Sequence, residues 1–461
     1  MKYNLQDMRQ EGMRFATALR VERGAVISFV GGGGKTSSMF RLAAELSSAG
    51  FRVLTTTTTH ISEEQARIPP ASIGWNELEL LGARLDRHGH CLLIGQPDGK
   101  GRVLGAPSEL ISSLHRRPDV DVILVEADGS RSRPFKAPGE HEPVVPEATT
   151  TLVPIAGLNS IGRTLNEDHA HRSEIIASLA RQQPGTPINT GTVARVLSHP
   201  LGGAKQLPAG ARLIPLLNRA DTDADLQNAR EIARELLADP ITDSVIVSSM
   251  LQDPPVREVW APVAGIVLAA GMSARFGDTK QVLPWQDTNM AAHAVRTAFD
   301  AGLDPIVVVL GYEAEKVGKA LAGMPVRLVF NPEFKAGQSA SIRKGLDALP
   351  PRTSAALFIL ADQPLVTDAI MRKIIEAHRR TFAKACVPVW EGERGNPVLF
   401  DKALFGELRD LRGDTGGRVL LEKYRDEIVS VPAGPEVLLD IDTPEDYERQ
   451  KNASDFTDST D

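Results

Sequence analysis

The chain has 461 residues, enough for two large or three average domains, and its 42% hydrophobic and 24% charged residues exclude a disordered tail protein. A net charge of −7, with no basic surplus in either half and aromatics at only 5%, excludes a nucleic-acid binder or a binder of anionic membranes. Two distant cysteines, Cys91 and Cys386, exclude a disulfide framework and a thiolate zinc site; Cys386 reads as a buried small hydrophobe.

The opening MKYNLQDMRQEGMRF has no apolar signal-peptide region, and no apolar run is long enough to span a bilayer, so a cytoplasmic protein is expected. Short runs rich in β-branched residues alternate with helical periodicity. Strands are predicted at 26–30, 52–57, 121–127, 151–155, 212–217 and 244–248, and then at 265–269, 305–310, 326–330, 355–361 and 386–389. That order predicts an α/β chain with mostly parallel sheets covered on both faces. Pro254, Pro255 and Pro262 mark 253–263 as a linker, which divides the chain into domains at 1–252 and 264–450, followed by an acidic tail at 451–461.

The first strand runs into VISFVGGGGKTSS (26–38). Amides of Gly31, Gly32, Gly33 and Gly34, the Lys35 ammonium and the Thr36 hydroxyl suit a phosphate chain with Mg2+. The usual pattern wants glycine at 29, where this chain has Phe29. The third strand ends in DVILVEADG (121–129), delivering Glu126 and Asp128 as metal-binding carboxylates or as turn residues. Next, LLNRAD (216–221) offers Asn218 and Asp221 for a guanine edge, with a plain strand-to-helix turn as the alternative. Ser248 and Ser249 fall where a base-contacting loop would lie. Lys136, His141 and Glu142, set between prolines, read as a solvated loop, with a substrate or metal site as the alternative.

These blocks, with TTTTTH (55–60) and EADGSRSRPFKAPGEHEPVVP (126–146), resemble the YqeC-type family of selenium-dependent hydroxylase accessory proteins over residues 20–252. The N-terminal expectation is a P-loop-NTPase-like domain taking GTP or ATP.

The second half opens with GIVLAAGMSARFGDTK (265–280). Small residues Ala269, Ala270 and Gly271 let backbone amides approach a triphosphate, Ser273 and Gly277 sit in the same loop, and Arg275 and Lys280 offset its charge. AALFILADQP (355–364) brings Asp362 to the end of a buried strand, as a Mg2+ ligand or as a helix cap. In LDIDTPED (439–446), Asp440 and Asp442 alternate along an extended segment. Asp442 suits either a metal site or an N-cap before Pro444.

With NPEFKAGQSASIRKGL (331–346), RGNPVLF (394–400) and GDTGGR (413–418), the segment 264–450 resembles the MocA-type molybdenum cofactor cytidylyltransferases. The resemblance implies a Rossmann-like nucleotidyltransferase domain. It implies attack by the terminal phosphate of Mo-molybdopterin on the α-phosphate of CTP, with release of pyrophosphate. It assigns Arg275 and Lys280 to the triphosphate, Asp362 and Asp442 to Mg2+, and Gly337, Ser339 and Ser341 to base and ribose. Arg394, Gly395 and Asn396 would face the pterin. Guanylyl-transferring relatives carry Leu-Ala-Gly-Gly where this chain has Leu268-Ala269-Ala270-Gly271, and the Ala270 methyl narrows the room for a purine. A guanylyltransferase, a sugar-1-phosphate nucleotidyltransferase and a non-catalytic cofactor delivery chaperone are the alternatives. A molybdenum hydroxylase apoenzyme is the expected partner.

Overall fold

The computed structural model describes residues 13–272, 276 and 279–457, with side chains described to Lys451. The expected loop residues Ser273, Arg275 and Gly277 lie outside the described residues. The chain divides after Trp260 into two compact units.

In the first unit, a ten-stranded sheet carries the expected parallel core. Naming each strand by its first residue, the order is 256, 245, 216, 151, 25, 122, 53, 90, 72, with a short strand at 212 beside 151. All of these pairs are parallel except 245 with 256. The central strands Ala25–Gly31 and Val122–Glu126 are buried along nearly their whole length, which requires cover on both faces. Leu42, Leu81, Leu85, Ile111, Ile176, Val193 and Ile232 supply buried apolar side chains from the helices and connections.

The expected linker is a correction. Val256–Trp260 forms an antiparallel edge strand, with Val245 opposite Trp260 and Ile246 opposite Val259. Pro254 and Pro255 precede this strand and Pro262 follows it, so none removes a ladder donor within it. Glu258 is buried there, accepting from Arg230 at 3.1 Å and from Trp260 Nε1 at 2.8 Å. The predicted strand 212–217 is also two pieces, Arg212–Leu213 and Leu216–Asn218, broken around Pro215.

The second unit holds an eight-stranded sheet in the order 327, 306, 263, 355, 398, 385, 393, with 428 beside 385. Strands 327, 306, 263 and 355 are mutually parallel, whereas 398 runs antiparallel to both 355 and 385. The sheet is therefore mixed rather than mostly parallel. Strand Val398–Asp401 was not among the expected ones; its four residues, directly after Asn396-Pro397, give too short a signal. Cys386 is fully buried among apolar neighbours, as its isolation in the sequence suggests. Among the described residues, no helix is long and apolar enough to cross a membrane.

Candidate functional sites

Strand register builds the first site. Phe29 lies level with Glu126, which sets Asp128 level with Gly31. The Gly31 N–H accordingly donates to both Asp128 oxygens at 3.1 Å. On the other flank Gly31 pairs with Ile155, and Gly157 pairs with Asn218, so Asn218 reaches the loop two residues on. Its Nδ2 donates to the Gly33 carbonyl at 2.7 Å. Phe29 is interior to the strand and fully buried, so the glycine turn begins two residues after the position where the common pattern places its first glycine.

Gly31, Gly33 and Gly34 have φ of 90°, 96° and 125°, and helix Lys35–Ser48 starts immediately after them. A Cβ on Gly33 would stand 2.4 Å from the Gly157 nitrogen, so only glycine fits. The Gly32 N–H donates to the Ile155 carbonyl at 3.0 Å. Two of the four expected loop amides, those of Gly31 and Gly32, are thus already engaged.

Lys35 is buried, donating to the Gly31 carbonyl at 2.7 Å and lying 3.3 Å from Asp128 and 3.8 Å from Glu126. Thr36 Oγ1 donates to Glu126 at 2.7 Å. Burial raises the Glu126 carboxyl above the usual range despite the Lys35 charge. The lysine, hydroxyl and two carboxylates expected to act together are therefore in mutual contact. Asp221 accepts from Ser249 Oγ, and Ser248 Oγ lies 3.3 Å from the Asn218 oxygen. Gly34, Asn218, Asp221 and Ser249 line one small cavity.

The solvated-loop reading of Lys136 and Glu142 is corrected. The Lys136 side chain is completely buried, 2.9 Å from Asp128, and also donates to Glu142 and the Gly129 carbonyl. Glu142 meets Arg172 at 2.7 Å as well. Burial alone would raise the Glu142 carboxyl. Hydrogen bonds from Arg172 and Lys136 outweigh it and hold the group at about 2. The proline-spaced run RPFKAPGEHEP (133–143) carries these residues, but nothing in its spacing points to Asp128.

In the second unit, Leu268 is level with Leu360, so Ala270 and Asp362 emerge side by side at the carboxyl ends of adjacent parallel strands. Ligands sit at such ends in open α/β sheets. A cavity of about 610 Å³ opens there, lined among others by Ala270, Gly271, Gly337, Ser341 and Asp362. Gln281, Lys335, Gln338 and Asp414 line it too, and were not singled out individually from the sequence. Gly337, at φ 100°, lies against the 413–414 loop: a Cβ there would stand 2.5 Å from the Gly413 carbonyl carbon. Ser341 Oγ accepts from Asn331 Nδ2 at 3.0 Å. Ser339 is buried, and its N–H goes to the Gly413 carbonyl at 3.3 Å.

Lys280 is the centre of this site. Its ammonium lies 2.6 Å from Asp362 and 3.0 Å from Asp442, and donates to the Ile441 carbonyl at 2.9 Å. Burial would lower its pKa, but the two carboxylates outweigh burial and raise it, so Lys280 is an ammonium at neutral pH. Neither aspartate serves as a helix cap. Thr367 caps helix Asp368–Thr381, and before helix Pro444–Thr457 Thr443 accepts from the Asp446 N–H. Asp440 accepts from Gln363 Nε2 at 2.7 Å, and desolvation, with the nearby charges of Asp362 and Asp442, raises its pKa.

Arg394, Gly395 and Asn396 do not line the cavity. Arg394 is exposed, 3.9 Å from Glu422. The Gly395 N–H donates to Pro388 and the Asn396 N–H to Val437, whose carbonyl also lies 3.5 Å from Gln363 Nε2. Among the described residues, no group of three or more His, Cys, Asp and Glu has the geometry to hold a metal alone.

Comparison with known proteins agrees with this division. A family model described as "YqeC protein" matches residues 27–174. Escherichia coli strain K12 YqeC, an uncharacterised protein, is 34% identical over 232 residues, covering 50% of this chain and 88% of that relative. The chain belongs to the YqeC family. Its second half is a MobA-like NTP transferase domain, matched by that family model over residues 265–428. The molybdenum cofactor cytidylyltransferase of Escherichia coli strain K12 is 27% identical over 186 residues, 40% of this chain and 92% of its own. The crystal structure of Rv0371c from Mycobacterium tuberculosis H37Rv covers 41% of this chain and 98% of its own, at 34% identity and a TM-score of 0.39.

Proposed function

We propose that the second half transfers CMP from CTP to Mo-molybdopterin, and that the first half is a nucleotide-binding accessory domain serving maturation of a molybdenum hydroxylase. The observation that carries the transferase reading is Lys280, held between Asp362 and Asp442 beside the cavity that gathers Ala270, Gly271, Gly337 and Ser341. The 27% identity to a molybdenum cofactor cytidylyltransferase along 92% of that relative supports the substrate class.

In this reading an oxygen of the pterin's terminal phosphate attacks the α-phosphorus of CTP. The new P–O–P bond forms as the bond to the β-phosphate breaks, and pyrophosphate leaves. Catalysis of this kind rests on positioning and charge neutralisation. Backbone groups of Ala269, Ala270 and Gly271 hold the triphosphate, and Lys280, with Arg275 from the same loop, offsets its charge. Gly337, Ser339 and Ser341 form the wall for base and ribose, and the Ala270 methyl disfavours a purine. Arg394, Gly395 and Asn396 would face the pterin from outside the cavity lining.

Asp362 and Asp442 suit Mg2+, because both already reach one cation, the Lys280 ammonium. Two carboxylates completed by substrate phosphates match the usual Mg2+ donor set. Bound there, Mg2+ would supply Lewis-acid neutralisation of the triphosphate. In the first half, Gly33, Gly34, Lys35 and Thr36 would take the phosphates of GTP or ATP, Glu126 and Asp128 the accompanying metal, and Asn218 and Asp221 the base.

The test is to mix the full chain with Mo-molybdopterin, Mg2+ and each NTP in turn, then weigh the product by mass spectrometry. A cytosine dinucleotide formed with CTP and lost in Asp362→Ala is expected. A guanine dinucleotide, or turnover of sugar phosphates without pterin, would replace the substrate assignment. No product from any NTP would sink the transferase reading.

A further inference from the structure

A second cavity, of about 150 Å³ against about 40 Å³ for the base-side one, also opens against Gly33 and Gly34. Its side chains come from three separate stretches: Ser130, Ser132 and Arg133 after the carboxylate strand, Asn159 after strand Thr151–Gly157, and Arg219 after Asn218. None of its lining residues is an aspartate or glutamate. Two guanidinium groups, two hydroxyls, one carboxamide and the glycine backbone make it rich in donors and net positive. Its volume suits a phosphate-sized anion with a few waters, taking about 30 Å³ per water.

Lys35, Thr36, Glu126 and Asp128 are absent from its lining, so this space lies to the side of the groups that suit a metal-bound phosphate chain. Those groups also offset one another's charge, whereas no carboxylate lines this cavity beside its two arginines, of which Arg219 borders the base-side cavity with Asp221 as well. Arg133 is held in place by its Nε, which donates to the Glu167 carbonyl at 2.9 Å and leaves its terminal nitrogens for a ligand.

We infer that this cavity binds a tetrahedral oxyanion that is not part of the nucleotide. The ligand is either a free anion of the phosphate, sulfate or molybdate class, or the phosphate of a second small molecule. The first unit would then hold two anionic ligands side by side across Gly33 and Gly34. That this ligand is a second one rests on the glycine turn being a nucleotide seat.

The experiment is equilibrium dialysis of the full chain with labelled inorganic phosphate, sulfate, molybdate and glycerol 3-phosphate. Each is run alone, with Mg·GDP or Mg·ADP, and with Mg·GTPγS or Mg·ATPγS. One anion per chain is expected to persist with every nucleotide. It should weaken at least tenfold in Arg133→Ala/Asn159→Ala. Ser132→Asp should abolish it by placing a carboxylate in the cavity. Ser132 has φ 59°, a conformation aspartate tolerates, so this variant keeps the test decisive if the double variant misfolds. Tighter binding of glycerol 3-phosphate would assign the site to a phosphorylated small molecule, and tighter binding of a simple anion to a free oxyanion. Expulsion by the triphosphate analogues but not the diphosphates would overturn the inference, since the cavity would then be the terminal-phosphate seat. So would unchanged binding in both variants. Anion binding without any nucleotide binding would defeat the glycine-turn reading and leave this site standing.

Discussion

Asp128 carries more of the first site than its place in a turn suggests. It accepts from Gly31, pairs with Lys35 and Lys136, and is buried with both lysines. Replacing it with alanine takes one carboxylate from each of two buried ammonium groups, leaving Lys35 near Glu126 alone and Lys136 on Glu142 alone. Removing one partner of a buried ion pair typically costs about 3–5 kcal/mol. Asp128→Ala should therefore lose stability of that order in urea denaturation, and a loss below about 1 kcal/mol would contradict the packing described. Gly33→Ala combines a positive φ with a backbone clash and should cost at least about 2 kcal/mol. Two groups with large shifts contribute to the acid side of stability. Burial lowers His90 to about 4, and Glu142 is held at about 2. Both pKa values are depressed on folding, so each contribution is complete above the unfolded value. It is lost as pH falls, from about 6.5 to 4 for His90 and from about 4.5 to 2 for Glu142. Urea midpoints across pH should show Glu142→Gln flattening only the lower window. An unchanged slope there would refute the Arg172–Lys136 clamp. The sequence makes Lys35, Thr36, Glu126 and Asp128 readable because each lies within two residues of a strand end or a helix start. It hides Lys136, whose partner is fixed by tertiary packing rather than by spacing.

Edges are where element boundaries depart from sequence expectation. The buried parallel strands 25–31, 53–57, 122–126 and 263–269 announce themselves as short runs of apolar and β-branched residues, and the structure places them within a residue or two of expectation. Val256–Trp260 does not, because Arg257 and Glu258 interrupt its pattern and prolines bracket it. Val398–Asp401, wedged antiparallel between two longer strands, is equally silent, and it is what makes the second sheet mixed. The edge strand has a direct consequence. Val245–Ser248 is buried throughout, and it stays so only while 256–260 covers it. A fragment of residues 11–252 would expose that strand as an apolar edge, a recognised route to aggregation. A fragment of residues 11–262 should elute as a discrete species in size-exclusion chromatography, and 11–252 should aggregate or melt at lower temperature. Equal behaviour of the two would show that the strand adds nothing to the first unit.

At the scale of the whole molecule, the question is what one polypeptide gains by joining a YqeC-family unit to an NTP transferase domain. Covalent linkage turns an encounter between two proteins into an intramolecular event, with effective concentrations reaching the millimolar range for short connections. The connection here is short: only Ala261 and Pro262 separate strand Val256–Trp260 from strand Val263–Ala269. If the first unit passes a scarce molybdopterin intermediate to the second, linkage should matter most when that intermediate is limiting. The prediction compares the full chain with an equimolar mixture of fragments 11–262 and 261–461 at micromolar protein. With Mo-molybdopterin below the enzyme concentration, dinucleotide formation by the full chain should exceed that of the mixture severalfold. With cofactor in excess, the two rates should converge, because the transferase site alone then sets the pace. Equal rates under both conditions would mean that the units share a chain without sharing a substrate, and the role of the first unit would have to be sought in the ligands proposed for its glycine turn and for the cavity beside it.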